Sequence, residues 1–226
     1  MGDGNQRPPG RNGQARPASH VMILAVDTSG VVAVVALATT AGDLHFGATG
    51  ANPRAHAEEL APLVRQALAR GTPQRVVAGR GPGSFTGLRV GLVFAQVFGW
   101  ARGLPVSGVS SLDVVARQYA LVDGWVVLDA RRREVYLGRY RSGRPDAAPR
   151  VVTRDEARAA IGTETAVGDV ALLTDTDRRA VGTTRLTPAS LAQCAAATRG
   201  RGSLQPDYLR RPDITWSPAK QGAPPP

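Results

Sequence analysis

The chain has 226 residues, 42% hydrophobic and 20% charged, enough for one or two globular domains with a sizeable core. Arginine supplies nearly all of the net charge of +10. The sole lysine, Lys220, sits in a Pro-rich tail, which excludes a Gly-Lys-Ser/Thr phosphate loop and Schiff-base chemistry. No apolar run reaches the ~20 residues of a membrane span, and no apolar stretch of a secretory leader stands in the polar first 20 residues. A single cysteine, Cys194, cannot form an internal disulfide. The expectation is a cytoplasmic protein without membrane contact.

Residues 1–20 are rich in Gly, Pro and Arg and read as a disordered extension; 217–226 read as a disordered tail. Between them, Met22-Ile-Leu-Ala-Val-Asp27 is a buried strand, Thr28-Ser29-Gly30 a turn, Val31 to Ala38 a second strand and Gly42 to Ala48 a third. The period then changes. Leu60, Leu63, Val64, Ala67 and Leu68 form one stripe of a helix from about Arg54 to Arg70, ended by Gly71. A strand at Arg75–Ala78, a glycine-rich turn over Gly79–Gly87, a helix from about Thr86 to Arg102 and a strand at Pro105–Val109 follow. Ser110 or Ser111 caps a third helix through Tyr119.

The order βββαβαβα predicts an α/β fold with a mixed sheet, a hairpin feeding right-handed crossovers. It is the ribonuclease-H-like half-fold of actin-like ATPases (the ASKHA fold). This first unit covers 21–120, and a smaller, degenerate α/β unit covers 121–216. In the second unit Trp125–Ala130 and Glu134–Tyr140 pair around Arg131-Arg132-Arg133, and a helix lies near Ala189–Thr198.

Asp27-Thr28-Ser29 sits at the first hairpin. In actin-like ATPases an Asp at this turn positions phosphates and their metal; an Asp can equally cap a tight turn. After Gly168-Asp169 too little chain remains for a second nucleotide-holding lobe, so the turn reads as half a site without turnover. The Gly79–Gly87 loop fails the dinucleotide fingerprint, having Thr86 where glycine is required. It also fails the nucleophile elbow around Ser84, which Pro82 and Thr86 exclude. In the following helix Gly87, Gly91, Ala95 and Gly99 recur every four residues among apolar neighbours, which predicts burial on more than one side. Mid-helix glycines each cost about 1 kcal/mol relative to alanine, so a close approach should offset them, either inside the fold or across an interface. His56 and Glu59 have helical i, i+3 spacing, but His20 and His45 lie in a tail and a strand, so no metal set is completed.

Several stretches together resemble the TsaB (YeaZ-like) family of the bacterial tRNA threonylcarbamoyladenosine machinery. They are ILAVDTS (23–29), HAEEL (56–60), GRGPGSFTGLRVGL (79–92), GLPVSGVSSLDVVA (103–116), LDARRREVYLGRY (128–140) and PDYLRRPD (206–213). The resemblance implies a fold similar to that of the catalytic subunit TsaD without its metal-binding histidine pair. The corresponding segment, Val109 to Ala116, contains no histidine. It implies a non-catalytic subunit that binds TsaD through its first two helices and acts with the ATPase TsaE. The assembly transfers threonylcarbamoyl to an adenosine of tRNAs reading ANN codons, and ATP and metal belong to the partner subunits. Carried onto this sequence, the partner face comprises Leu60, Leu63, Leu88, Gly91, Leu92, Ala95 and Gly99, and a homodimer through the same helices stands as an alternative. The region 147–187 is short for the family's second unit, and the N-terminal extension lies outside its pattern. Two other readings stand beside this one. The first is a small ATPase or phosphotransferase using Asp27-Thr28-Ser29. The second is an RNA-binding module using Arg131–Arg133, Arg210 and Arg211, in a chain with only 5% aromatic residues to stack on bases.

Overall fold

A computed structural model describes residues 21–174, 184–200 and 202–209. The expected disordered ends, 1–20 and 217–226, and Arg210 and Arg211 lie outside the described residues.

The first sheet is built on β1 (Met22–Asp27), every residue of which is buried. An apolar β-branched run of this kind belongs at the centre of a sheet covered on both faces. It pairs antiparallel with β2 (Val34–Thr39), which pairs antiparallel with the edge strand β3 (Leu44–Thr49). On its other side β1 runs parallel to β4 (Arg75–Gly79), and β4 runs parallel to β5 (Val106–Val109). The strand order β3-β2-β1-β4-β5 is the ribonuclease-H-like arrangement the sequence order predicts.

Crossover helices cover both faces. α1 (His56–Leu68) and α2 (Phe85–Arg102) bury Leu60, Val64, Ala67, Leu92 and Ala95 against Leu24, Val26, Val35, Leu37, Val76 and Ala78. α2 is capped at one end by Ser84, whose hydroxyl accepts from Gly87 N, and at the other by Gly103 in the left-handed conformation, φ 62°. The opposite face of the sheet receives α3 (Ser111–Gln118), capped by Ser110.

The second sheet comprises β6 (Gly124–Asp129), β7 (Glu134–Arg141), β8 (Arg144–Pro145), β9 (Arg150–Thr153) and β10 (Ala166–Gly168), in the order β10-β6-β7-β8 with β9 also on β7. Alternation along β6 sends Val126 and Leu128 toward α3, and Trp125 and Val127 toward α4 (Arg154–Ile161). α3 is therefore the shared layer between the two sheets. Tyr140 on β7 donates its hydroxyl to Asp113 Oδ1 of α3 at 2.6 Å, a polar tie between the second sheet and the first unit. Burial pushes the Asp113 carboxyl up, and the Tyr140 bond opposes that rise.

Two features of the C-terminal half differ from expectation. β9, α4 and β10 occupy the stretch that carries little periodic signal, with α4 held by a Thr153–Glu156 capping box. The final helix, α5 (Pro188–Ala197), does not belong with the second unit assigned to 121–216. It packs on the first sheet, where Leu191, Ala192 and Ala195 meet Ile23, Ala25, Val34 and Ala36. That face is apolar and α3 alone does not cover it, so burial draws the helix back across the chain. Residues 202–209 then run along the edge of β5, with Gly108 N donating to Gly202 O at 3.1 Å. A Cβ on Gly202 would stand 1.8 Å from Gly108 O, so this contact requires glycine.

Because Asp113 Oδ1 would lose its donor inside a buried layer, Tyr140→Phe should lower stability by about 1–3 kcal/mol. Urea unfolding followed by circular dichroism checks this.

Candidate functional site

The β1–β2 turn opens with three consecutive buried polar residues, Asp27, Thr28 and Ser29, exposed by 1%, 1% and 7%. Asp27 Oδ1 accepts from Ser29 N at 2.7 Å and from Ser29 Oγ at 2.6 Å. Its Oδ2 lies 2.8 Å from Ser111 Oγ at the start of α3, and the two serine hydroxyls are 2.7 Å apart. Burial pushes the Asp27 carboxyl above its ordinary value, against the lowering effect of these hydrogen bonds and of His56. Thr28 does something different: its hydroxyl donates to Gly87 O at 2.6 Å and accepts from Gly91 N at 2.9 Å. Those two groups would pair with each other in an uninterrupted α-helix, so Thr28 inserts itself into the first turns of α2.

This insertion explains the glycines. A Cβ on Gly79 would lie 2.0 Å from Asp27 Oδ2, on Gly83 2.3 Å from Ser29 O, on Gly87 2.4 Å from Thr28 O and on Gly91 2.5 Å from Thr28 Oγ1. The segment 79–91 lies directly against the turn, which is why no side chain fits there. Gly99 meets β5 in the same way, with its Cβ position 2.2 Å from Val106 Cγ2.

The partner face assigned from sequence is corrected by this packing. Leu60, Leu88, Leu92 and Ala95 are exposed by 5% or less, Gly91 and Gly99 are buried and Leu63 is half-buried, all within the chain's own core. The small residues admit the turn and β5 rather than a second molecule. Nor is α2 buried all round. Its outer face presents Val93, Val97 and Trp100, exposed by 54%, 58% and 85%. These residues stand at i, i+4 and i+7, one stripe of a helix. Phe94 and Phe98 stack beside it with centroids 5.7 Å apart, and Arg102 lies 5.3 Å from the Phe98 ring.

A cavity of about 510 Å3 separates the turn from the second sheet; Ser29, Ser111, His56, Tyr136, Arg131 and Tyr208 are among its walls. His56 Nε2 is 3.2 Å from Gly30 O, and among the described residues no group of three or more His, Cys, Asp or Glu is placed to hold a metal. Arg131, Arg132 and Arg133 form the β6–β7 connection with φ of 65°, 52° and 64°. Glu134 N donates to Arg131 O at 2.9 Å, closing a turn whose two central residues are left-handed, as in hairpins that usually carry Asn-Gly. Asp129 holds Arg131 from both sides, its Oδ1 accepting from Arg131 N and its Oδ2 lying 3.3 Å from the guanidinium. At the other wall Arg80 pairs with Asp207, and the Tyr208 ring tilts against Phe85 at 5.2 Å. Ser111 as a partner of Asp27, and the stripe Val93–Val97–Trp100, were not singled out from sequence. The stripe carries a readable spacing; Ser111 carries none, standing 84 residues from Asp27.

Gly79→Ala should destabilise the fold by about 3 kcal/mol or more, since the methyl would displace the Asp27 carboxyl. Gly30→Ala, with nothing within 4 Å of its Cβ position, should change stability by no more than about 0.5 kcal/mol. Chemical denaturation of the pair checks this.

A profile of the family "TsaD: tRNA N6-adenosine threonylcarbamoyltransferase" matches residues 34–164, more than half of the chain. An uncharacterized protein of Mycobacterium tuberculosis is 41% identical over 170 residues, covering 71% of this chain and 77% of that one. The Escherichia coli "tRNA threonylcarbamoyladenosine biosynthesis protein TsaB" is 36% identical over 128 residues, covering 52% of this chain and 54% of that protein. The match therefore spans about half the length of that TsaB. The solved structure of YeaZ from Pseudomonas aeruginosa superposes with a TM-score of 0.67 at 27% identity, over 84% of this chain and all of that one. With that sheet order, the glycine-bearing α2 and these matches together, the chain belongs to the TsaD family and, within it, is a TsaB/YeaZ-like protein.

Proposed function

We propose that this chain is a non-catalytic partner subunit in the synthesis of threonylcarbamoyladenosine in tRNA, docking on a TsaD-type catalytic subunit through the outer face of α2. The observation that carries the reading is the exposed stripe Val93, Val97 and Trp100 on a helix whose inner face is locked to its own sheet. Monomeric proteins seldom leave a tryptophan 85% exposed beside two exposed valines on one helix face. Aromatic anchors of this kind dominate binding energy at protein interfaces. The relatives named for threonylcarbamoyladenosine biosynthesis, and the match to the TsaD family profile, support a TsaD-type partner for this face. On this reading a TsaE-type ATPase joins the pair, ATP and metal are held by the partner subunits, tRNA reaches the chain within the assembly, and the site of action is the cytoplasm. No helix among the described residues is long and apolar enough to cross a membrane.

The rival reading, an ATPase or phosphotransferase at Asp27, needs a carboxylate open to a metal-bound phosphate. Asp27 is 1% exposed and both its oxygens are engaged. An RNA-binding role for Arg131–Arg133 alone has few aromatic platforms beside it, and Arg131 is already paired with Asp129.

Size-exclusion chromatography with light scattering, on the chain alone and mixed with the TsaD-type subunit of the same source, tests the docking face. The wild type should form a one-to-one complex. The double variant Val97→Asp/Trp100→Asp should bind at least about 30-fold more weakly, the loss of one central aromatic anchor, with its melting temperature unchanged. A complex that survives the double variant, or none with the wild type, sinks the proposal. Gly91→Leu cannot serve in its place, because its side chain would strike Thr28 inside the fold.

A further inference from the structure

Three oxygen pairs close a ring beneath the cavity floor. Ser29 Oγ is 2.6 Å from Asp27 Oδ1, Ser29 Oγ is 2.7 Å from Ser111 Oγ, and Ser111 Oγ is 2.8 Å from Asp27 Oδ2. All three distances are those of O–H···O hydrogen bonds, and each such bond needs its own proton. Two serine hydroxyls carry two protons between them. With an ionised carboxylate one contact would set lone pair against lone pair, between oxygens no more than 2.8 Å apart, which leaves no room for a water between them.

We infer that Asp27 supplies the third proton: the ring is completed by a neutral carboxylic acid, and the turn is held by an uncharged three-proton cycle rather than by an anion. Its direction follows from the backbone. Oδ1 accepts twice, from Ser29 N and Ser29 Oγ, as a carbonyl oxygen with two lone pairs can. Oδ2 is then the hydroxyl oxygen and donates to Ser111 Oγ, which donates to Ser29 Oγ. Burial, which disfavours the charged form, acts in the same direction. The elements packed on the ring bring little charge to oppose it. β4 contributes Gly79, α2 contributes Gly87 and Gly91 through Thr28, and α3 contributes Ser111. His56 on α1 is the group whose coulombic influence lowers the Asp27 value, while Asp129, Arg131, Arg132, Asp169 and Asp207 stand around the cavity. A neutral acid with both oxygens engaged offers a divalent cation nothing to bind. The inference stands apart from the docking proposal, since it concerns the inner end of β1 and not the outer face of α2.

Asp27→Asn is the matched probe, because the amide reproduces the neutral acid, with its oxygen accepting from Ser29 and its NH2 donating to Ser111. The folding equilibrium constants of wild type and variant are compared by urea unfolding from about pH 4 to about pH 6, below the ordinary histidine range near 6.5. A carboxyl that keeps its proton in the folded chain but loses it in the unfolded chain near 3.8 makes the folded state the better proton binder in this window. The wild-type-to-variant ratio should then fall by up to tenfold per pH unit as pH rises, until the folded chain itself releases the proton. A ratio that stays constant, or that rises as it would for an anion stabilised by its hydrogen bonds, overturns the inference. Should the variant fail to fold, infrared spectra of wild type and Ser111→Ala decide. A protonated-carboxyl C=O band at neutral pH that shifts when Ser111 loses its hydroxyl upholds the ring. A band indifferent to Ser111 refutes it.

Discussion

Much of the first unit depends on one close approach, the backbone of residues 79–91 lying against the Asp27–Ser29 turn. The contact is possible only because Gly79, Gly83, Gly87 and Gly91 present no side chain where the turn's own atoms stand. From it follow the position of α2, the insertion of Thr28 between Gly87 O and Gly91 N, and the meeting of Asp27 with Ser111 across the first turn of α3. The hairpin is closed over by the chain itself. Its polar groups are spent on internal hydrogen bonds and form the floor of the cavity, not an open anion site.

The two sides of α2 carry different duties. The inner side is small and fixed, with glycine and alanine matched to particular atoms of the turn and of β5. The outer side is broad and apolar, Val93, Val97 and Trp100, and makes no comparable contact among the described residues. A substitution on the inner side is felt as lost stability; on the proposed docking reading, one on the outer side is felt as lost association, so the two kinds of defect would separate on a single helix.

Much of this was legible in the sequence. The apolar run Met22–Asp27, the stripe of α1 and the glycine punctuation around residue 79 place β1, α1, β4 and α2 within a residue or two of their observed bounds. The orientation of α2 was not legible. A helix apolar nearly all round has little amphipathic signal to say which side is inward, and a small-residue stripe fits a close approach to its own fold as well as to a partner. The same limit applies to the site. The Asp27 turn is visible as a local motif, but Ser111 is 84 residues away and reads locally as part of a helix cap. The stretch holding β9, α4 and β10 consists of short, half-exposed elements that leave weak periodicity, and the return of α5 to the first sheet is a matter of uncovered apolar surface.

That return bears on how the protein is made. The strands β1 through β3 are made well before α5, yet one face of their sheet is finished by Leu191, Ala192 and Ala195. Until those residues emerge, Ile23, Ala25, Val34 and Ala36 have an incomplete roof. Contacts of such long sequence separation slow folding and lengthen the exposure of apolar surface. The nascent chain thus carries a half-covered sheet until α5 has been made.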